Sequence, residues 1–154
     1  MLDEQEAFHA AIAGLMRNFH SRKRGWKHHS GDKSKVTDWG NHIESAMAEA
    51  LVAKSLKMFW YRVSDEPWKY ADVGPYQVRH TVYFDGGLAI SPKDNDDQIF
   101  ILVVGAFPHQ SIVGWKHAKD CKLKRYYIDE FNCYIVPQDD LNKGLLGGKD
   151  EQNT

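Results

Sequence analysis

Residues 98–107 constrain the fold more than any other stretch of this chain, because they form a nearly continuous apolar run, QIFILVVGAF. Such a run is typical of a β-strand that is covered on both faces. The strand therefore needs packing layers on both sides of its sheet. A chain of 154 residues is long enough to build these layers as one domain, with a core that needs no disulfide or structural metal.

Two amphipathic segments precede this strand and are predicted to be helices. Residues 3–19 carry apolar side chains at helical spacing, and residues 41–57 do the same, with Asn41 placed to cap the first turn. The apolar face of the first segment is expected to be core or interface. Its members are Ala7, Phe8, Ala11, Ile12, Leu15, Met16 and Phe19.

The pattern after the second helix is rich in β signals. Strands are predicted at residues 58–63, 76–84, 88–91, 98–107, 111–116 and 133–136, and short helical segments at residues 117–124 and 139–145. Asp85, Gly86 and Gly87 form a hairpin signal before residues 88–91. This order predicts an α+β (or α/β) sandwich with one mixed sheet.

Polar residues cluster at the start of the predicted strand 76–84, in the sequence DVGPYQVR of residues 72–79. It offers an acid, Asp72, then an amide and a cation two residues apart. Because side chains alternate along a strand, Gln77 and Arg79 are expected on one face while Val78 points into the packing layer. This arrangement presents a polar site on a sheet.

The second predicted helix adds two acids, Glu44 and Glu49. They are five residues apart, which separates them by about 140° around a helix. The two side chains therefore cannot both point into one site. Glu49 stands among alanines in the sequence AEALVA, so it is the acid that a buried site would use.

The order of these motifs resembles the PD-(D/E)xK nuclease superfamily, in its phage and bacterial members. The matching segments are the glutamate helix at residues 48–56, the strands within 88–104, the Gly-Trp signature in IVGW at 112–115, and the closing strand YIVP at 134–137 followed by Leu141. The resemblance covers residues 41–141. It implies a restriction endonuclease-like core in which a helix, a mixed β-meander, a short helix and a closing strand follow one another.

The resemblance also implies a catalytic site and a cofactor. Asp72 would be the principal ligand of Mg²⁺ or Mn²⁺, with the backbone carbonyl of Val78 and Glu49 as further ligands. Gln77 stands at the family's second acid, where its neutral oxygen can still bind a hard cation. Arg79 stands at the family's lysine, where it would stabilise charge on the phosphate without acting as a base.

A basic segment at residues 20–39 follows the first helix and shows no helical or strand period, so it is predicted to be a long loop or arm. Clustered cations favour nucleic-acid binding, and Trp26 and Trp39 offer faces on which bases can stack. A solvated loop with no partner is the alternative. The candidate nucleic-acid-binding residues are Arg22, Lys23, Arg24, Lys27, Lys33 and Lys35.

The organisation that follows has three parts: a helix and basic arm at residues 1–40, a core domain at 41–146 and a flexible tail at 147–154. The sequence has no apolar stretch that predicts a signal peptide or membrane span. With only two cysteines, a reduced, cytoplasmic protein is expected, in the host cytoplasm if phage-encoded.

Other metal sites are disfavoured by spacing. His117, Cys121 and Cys133 lack a fourth ligand at zinc-finger spacing, so buried or idle thiols are expected. An acidic group, Asp94, Asp96 and Asp97, lacks the glycine and distal glutamate of an EF-hand and is predicted to be a charged hairpin tip.

Three functions remain open from the sequence. The leading one is a metal-dependent nuclease that hydrolyses phosphodiester bonds in DNA. The alternative is a catalytically inactive protein of the same fold that binds nucleic acid or a protein partner, because Gln77 and Arg79 both depart from the family pattern. The third is a phage accessory protein without a functional pocket whose first helix forms a homodimer. The sequence motifs are equally compatible with a DNA and an RNA substrate.

Overall fold

The computed structural model describes residues 1–24, 38–60 and 71–144, and the fold is α+β, as predicted. Helices and sheets pack in layers around two hydrophobic cores. The elements are α1 (Glu4–Lys23), α2 (Asp38–Leu56), β1 (Tyr76–Thr81), β2 (Leu88–Ile90), β3 (Ile99–Val104), β4 (Ser111–His117), α3 (Ala118–Cys121), β5 (Tyr127–Ile128) and β6 (Cys133–Val136).

The first helix, α1, begins with a reciprocal cap. The carboxylate of Asp3 accepts the Glu6 N–H at 2.9 Å, and the carboxylate of Glu6 accepts the Asp3 N–H at 2.8 Å. This capping box satisfies two backbone donors that a helix start leaves unpaired. The predicted helix at residues 3–19 is confirmed, and it continues to Lys23.

Helix α1 packs on α2 through its small residues. Ala7, Ala10 and Ala13 are buried, and so is Gly14, where an added Cβ would lie 2.4 Å from the carbonyl oxygen of His42. The two backbones are therefore in close contact. The predicted apolar face of α1 is split, because its large members are exposed to solvent: Phe8, Ile12, Leu15, Met16 and Phe19.

Helix α2 begins at Asp38 and ends at Leu56. The prediction that Asn41 caps it is wrong, because Asn41 lies inside the first turn. Trp39 was expected in the basic arm, but it belongs to α2, where its ring meets the Phe19 ring edge-on at 5.3 Å between centroids. This aromatic contact supports an extra turn of helix that the local sequence does not signal.

Strand β3 is covered on both faces, as its apolar run predicted. The first sheet has the order β1-β3-β4, with β1 parallel and β4 antiparallel to β3. Ile101 and Val103 pack in a core with α1 and α2. Phe100, Leu102 and Val104 pack in a second core with residues of the other sheet, which has the antiparallel order β2-β6-β5.

The expectation of one mixed sheet is therefore wrong, and so is the hairpin at Asp85, Gly86 and Gly87. Strands β1 and β2 belong to different sheets, because β1 pairs with β3 and β2 pairs with β6. The three residues instead lie in the passage between the sheets, where Gly86 N–H donates to the Tyr83 carbonyl at 3.1 Å.

Other boundaries differ by smaller amounts. The strand at 133–136 and the short helix within 117–124 are confirmed, whereas β5 was not predicted. The predicted helical turns at 139–145 reduce to a 3-10 turn, Gln138–Asp140, among the residues described. Of the predicted strand 58–63, the described residues 58–60 are not in a strand, and the rest lies outside the described ranges. No helix within the described ranges has the length and apolar character needed to cross a membrane.

Candidate functional site

Glu49 is buried between the helices, with 6% of its surface exposed. Arg17, on α1, binds it with two parallel hydrogen bonds, Nη1 to Oε1 and Nη2 to Oε2, each of 2.6 Å. The indole Nε1 of Trp60 donates to Oε2 at 3.0 Å. The Arg17 guanidinium also lies 5.8 Å from the centroid of the Trp60 ring. The predicted site glutamate is thus buried, as expected, and held by a cation and an indole.

The charges around Arg17 raise its pKa. Burial alone would lower the pKa, but the hydrogen bonds and negative charge of Glu49, together with the negative charge of Asp72, outweigh it. Arg17 is therefore a permanent cation that is bound to Glu49 and is also stabilised by the negative charge of Asp72.

Asp72 lies close enough to these groups for their charges to affect its ionisation. Its pKa is raised to about 6. Burial is the largest cause and the negative charge of Glu49 the second, whereas the Val78 N–H and the charges of Arg79 and Arg17 lower it. Burial and the negative charge of Glu49 thus outweigh the Val78 N–H and the two cations in their effect on the pKa of Asp72.

The carboxylate of Asp72 sits at the free edge of β1. Its Oδ2 accepts the Val78 N–H at 2.8 Å, and β1 is an edge strand in the order β1-β3-β4. On the other side of β1, the Thr81 carbonyl accepts the Gly105 N–H at 2.9 Å, at the end of β3. Because the N–H and C=O of one strand residue point to the same edge, the Val78 carbonyl points toward the edge that Asp72 occupies.

Gln77 and Arg79 lie on the face of β1 that points away from the helices. Val78 packs in the core with α1 and α2, so its neighbours project to the other side. The Arg79 guanidinium lies 4.8 Å from the centroid of the Phe100 ring, which belongs to the second core. The face of β1 that Gln77 shares with Arg79 is therefore not the side on which the helices lie.

Arg79 has a carboxylate partner that its sequence position does not suggest. Its Nη2 lies 3.1 and 3.2 Å from the two oxygens of Asp94. Asp94 in turn accepts the Ser91 N–H at 2.8 Å. The predicted hairpin tip is thus a loop that holds Arg79 through one of its acids.

The basic arm is described only at its beginning. Lys27, Lys33 and Lys35 lie outside the described residues. Arg22 donates from Nε to the Asn18 side chain at 2.8 Å, and its guanidinium stacks 4.9 Å from the centroid of the Trp39 ring. Lys23 ends α1 and Arg24 follows it. Arg22 therefore connects the last turn of α1 to the first turn of α2 through Trp39. This structural role is separate from its predicted role in binding nucleic acid.

The groups at the β1 edge are oxygen donors, which suit a hard divalent cation, but they are few. Within residues 1–24, 38–60 and 71–144, no three His, Cys, Asp or Glu side chains are grouped to hold a metal ion. An ion would have to use Asp72, the Val78 carbonyl and Glu49, and Mg²⁺ needs only one or two carboxylates. These are oxygen donors of the right class, and Arg17 would compete for Glu49. Cys121 and Cys133 are free thiols.

Two residues around Glu49, Arg17 and Trp60, and the partner of Arg79, Asp94, were not predicted from the sequence. Arg17 lies four residues after Ala13 and three after Gly14, a spacing that puts it on the face that meets α2. Trp60 and Asp94 carry no local signal, because only the tertiary fold brings them to Glu49 and Arg79.

No protein-family model, curated protein or solved structure matches this chain. The resemblance to the PD-(D/E)xK superfamily stays a prediction from the motifs.

Proposed function

We propose that this chain is a metal-dependent nuclease of the PD-(D/E)xK type, with a restriction endonuclease-like core, that hydrolyses phosphodiester bonds in DNA. The observation that supports the proposal is that Asp72 is hydrogen-bonded at the free edge of β1, toward which the Val78 carbonyl also points, and lies near enough to the buried Glu49 for that carboxylate to raise its pKa. These are three of the four oxygen donors that the motifs predict for a hydrolytic metal site, the fourth being Gln77.

In this mechanism Asp72, the Val78 carbonyl and Glu49 would hold Mg²⁺ or Mn²⁺. When bound, the ion would neutralise charge on the scissile phosphate and lower the pKa of an attacking water. Asp72 presents one oxygen to the Val78 N–H, which fixes the orientation of the carboxylate. Its pKa of about 6 leaves it ionised, and so able to bind a cation, above that pH.

Arg79 would act on the phosphate rather than on the water. Arg79 is 38% exposed at its side chain, so its guanidinium can take phosphate oxygens in exchange for Asp94. Arginine suits this role because its planar donors match a phosphate. Gln77, on the same face as Arg79, would contribute a neutral hydrogen-bonding group there.

The test of this proposal is cleavage of plasmid DNA by the full chain with Mg²⁺, with Mn²⁺ and with a chelator. We expect cleavage only with metal, and its loss in Asp72→Asn. The matched control is Asp120→Asn, which changes an exposed acid on α3 and should cleave like the wild type. Cleavage by Asp72→Asn at the wild-type rate would refute the proposed site.

A second function, metal-independent binding of nucleic acid by an inactive protein of this fold, is favoured by one observation. Both oxygens of Glu49 are already paired with Arg17, so the carboxylate is neutralised without a metal. Phosphate contacts from the basic arm would then carry the affinity.

This second function predicts DNA binding that weakens steeply with salt and survives a chelator. Neutralising Arg22, Lys23 and Arg24 together should reduce the slope of log affinity against log salt by about 0.9 for each phosphate that the variant no longer neutralises. The control neutralises three exposed lysines elsewhere, Lys93, Lys119 and Lys124. Affinity that is independent of salt, or equal loss in both triple variants, would contradict binding by the arm.

A further inference from the structure

An apolar stripe runs along the outer face of α1. At 100° per residue, its five members fall within an arc of about 100°, whereas the small residues that pack on α2 lie on the opposite side of the helix. An exposed apolar stripe of this kind marks an interaction surface. The members and their exposed fractions are Phe8 (64%), Ile12 (41%), Leu15 (38%), Met16 (44%) and Phe19 (58%).

The charges at the two ends of α1 indicate what covers the stripe. The first turn is acidic, with Glu4 and Glu6, and the last turn is basic, with His20, Arg22 and Lys23. Two copies of this helix packed in parallel would place like charges together. Packed antiparallel, each acidic end meets the basic end of the other copy, which is favourable for both the side chains and the helix dipoles.

The spacing of the stripe suits the same arrangement. A two-fold axis beside residues 13 and 14 would place Phe8 against the partner's Phe19, Ile12 against the partner's Leu15, and Glu4 against the partner's Lys23. In a two-fold interface each of these pairs occurs twice. Aliphatic residues would then fill the middle, aromatic residues the next layer and opposite charges the ends, as in antiparallel helix pairs.

From this complementarity we propose that two copies of the chain form a homodimer through antiparallel packing of their α1 helices. The inference does not depend on the proposed nuclease site, because α1 presents Arg17 to Glu49 from its inner side. The stripe remains on the outer side. Of the charges at its ends, Glu6 pairs with Lys54 and Arg22 stacks on Trp39, whereas Glu4 and Lys23 are exposed and carry the charge complementarity.

The first experiment measures the mass of the full chain by light scattering and sedimentation over a hundredfold range of concentration. We expect a dimer for the wild type and a monomer for Ile12→Glu/Leu15→Glu. Both positions are exposed, so circular dichroism and the Tm should show an intact fold. The matched control is Leu123→Glu/Ile128→Glu, exposed at 43% and 38%, which should stay dimeric.

A wild type that is monomeric at every concentration would overturn the proposal. The stripe would then be covered by another protein or by residues 25–37 of the same chain. A dimer that persists in Ile12→Glu/Leu15→Glu would overturn it as well, because the interface would lie elsewhere.

The second experiment tests the orientation by disulfide cross-linking in a Cys133→Ser background, where Cys121 is buried. A mixture of the Phe8→Cys and Phe19→Cys proteins should cross-link, whereas Phe8→Cys alone should not, because its two copies would be about 16 Å apart along the axis. The reverse result would show parallel packing and overturn the proposal. In addition, Glu4→Lys should raise the dimer Kd about fivefold to tenfold, and adding Lys23→Glu should restore it.

Discussion

Arg17 and Glu49 join the middle of α1 to the middle of α2 through two hydrogen bonds of 2.6 Å between guanidinium and carboxylate. The pair lies beside the close helix contact at Gly14, where no side chain separates the backbones. The glutamate is 7% exposed at its side chain and the arginine 26%, so neither charge is freely solvated. The candidate site therefore depends on this helix pair being correctly assembled.

Replacing Arg17 by methionine should destabilise the protein, because it leaves a buried carboxylate without its cation. We expect a loss of about 3 kcal/mol in the free energy of unfolding, as is usual when one member of a buried ion pair is removed. Urea unfolding followed by circular dichroism measures it. A second change, Glu49→Gln, should recover much of the loss, because the uncompensated charge is then absent.

The matched control for this prediction is Lys54→Met, which breaks the exposed pair between Lys54 and Glu6. Exposed ion pairs contribute less than about 1 kcal/mol. If Arg17→Met and Lys54→Met cost the same, the Arg17 pair has no special role in stability.

Stability should fall with rising pH because of Asp72. Its pKa is about 6 in the folded protein against 3.8 for an ordinary aspartate, so between these values the folded state holds a proton that the unfolded state has lost. The contribution of Asp72 is therefore most favourable below about pH 4 and is lost as pH rises through about 6. Asp72→Asn, which cannot ionise, should be more stable than the wild type by about 2 kcal/mol at pH 7.5.

Unfolding in urea across the pH range tests this, with the difference between Asp72→Asn and the wild type expected to disappear near pH 4. Asp120→Asn is the control and should show no such dependence. A difference that is constant with pH would mean that the carboxyl of Asp72 ionises as it does in the unfolded chain.

Divalent metal should stabilise the wild type through the same carboxylates. At pH 7.5 Asp72 is above its pKa of about 6, so a cation bound to its carboxylate would offset the unfavourable burial of that charge. We expect Mg²⁺ or Mn²⁺ to raise the Tm of the wild type and of Asp120→Asn, and to leave the Tm of Asp72→Asn unchanged. An equal rise in all three proteins would show that the metal binds somewhere else. This measurement requires no cleavage activity.

The sequence predicts the elements of this protein better than their pairing. The apolar run around β3 predicts a doubly covered strand, and the helical spacing predicts α1 and α2, because these signals are local. Pairing is not local. The turn residues between β1 and β2 favour a hairpin, yet β1 pairs with β3 in parallel, and two sheets form where one was expected.

The candidate site follows the same rule: the sequence predicts features set by local neighbours, but not contacts between distant segments. Glu49 and Asp72 were identified because their neighbours predict a buried helix face and a strand start; Glu49 is indeed buried, and its charge raises the pKa of Asp72. The strand period also gave the correct common face for Gln77 and Arg79. It could not show that α2 covers the other face, nor that Asp94 from a distant loop would hold Arg79.

Replacing Arg79 with lysine should lower the free energy of unfolding of the protein, although the positive charge is kept. A lysine lacks the guanidinium that lies 4.8 Å from the centroid of the Phe100 ring, and its ammonium is a more strongly hydrated point charge beside Asp94. We expect a cost of about 1 kcal/mol, since the pair is partly exposed. Hydrogen exchange at the Ser91 N–H, which Asp94 accepts, should accelerate, and an unchanged rate would show that Arg79 does not order the loop.

Cys121 should be inert to thiol reagents while the protein is folded. It is fully buried, and burial raises the pKa of its thiol to about 11, so at pH 8 almost none of it is the reactive thiolate. Cys133 is half-buried and burial raises its pKa as well, but its partial exposure should let it react first.

Iodoacetamide labelling followed by mass spectrometry should modify Cys133 in the folded state and Cys121 only after urea unfolding. A Cys121→Ser variant should keep the labelling rate of Cys133. Equally fast labelling of both thiols in the folded protein would mean that Cys121 is accessible. In that case α3 would not bury Cys121 in the second core.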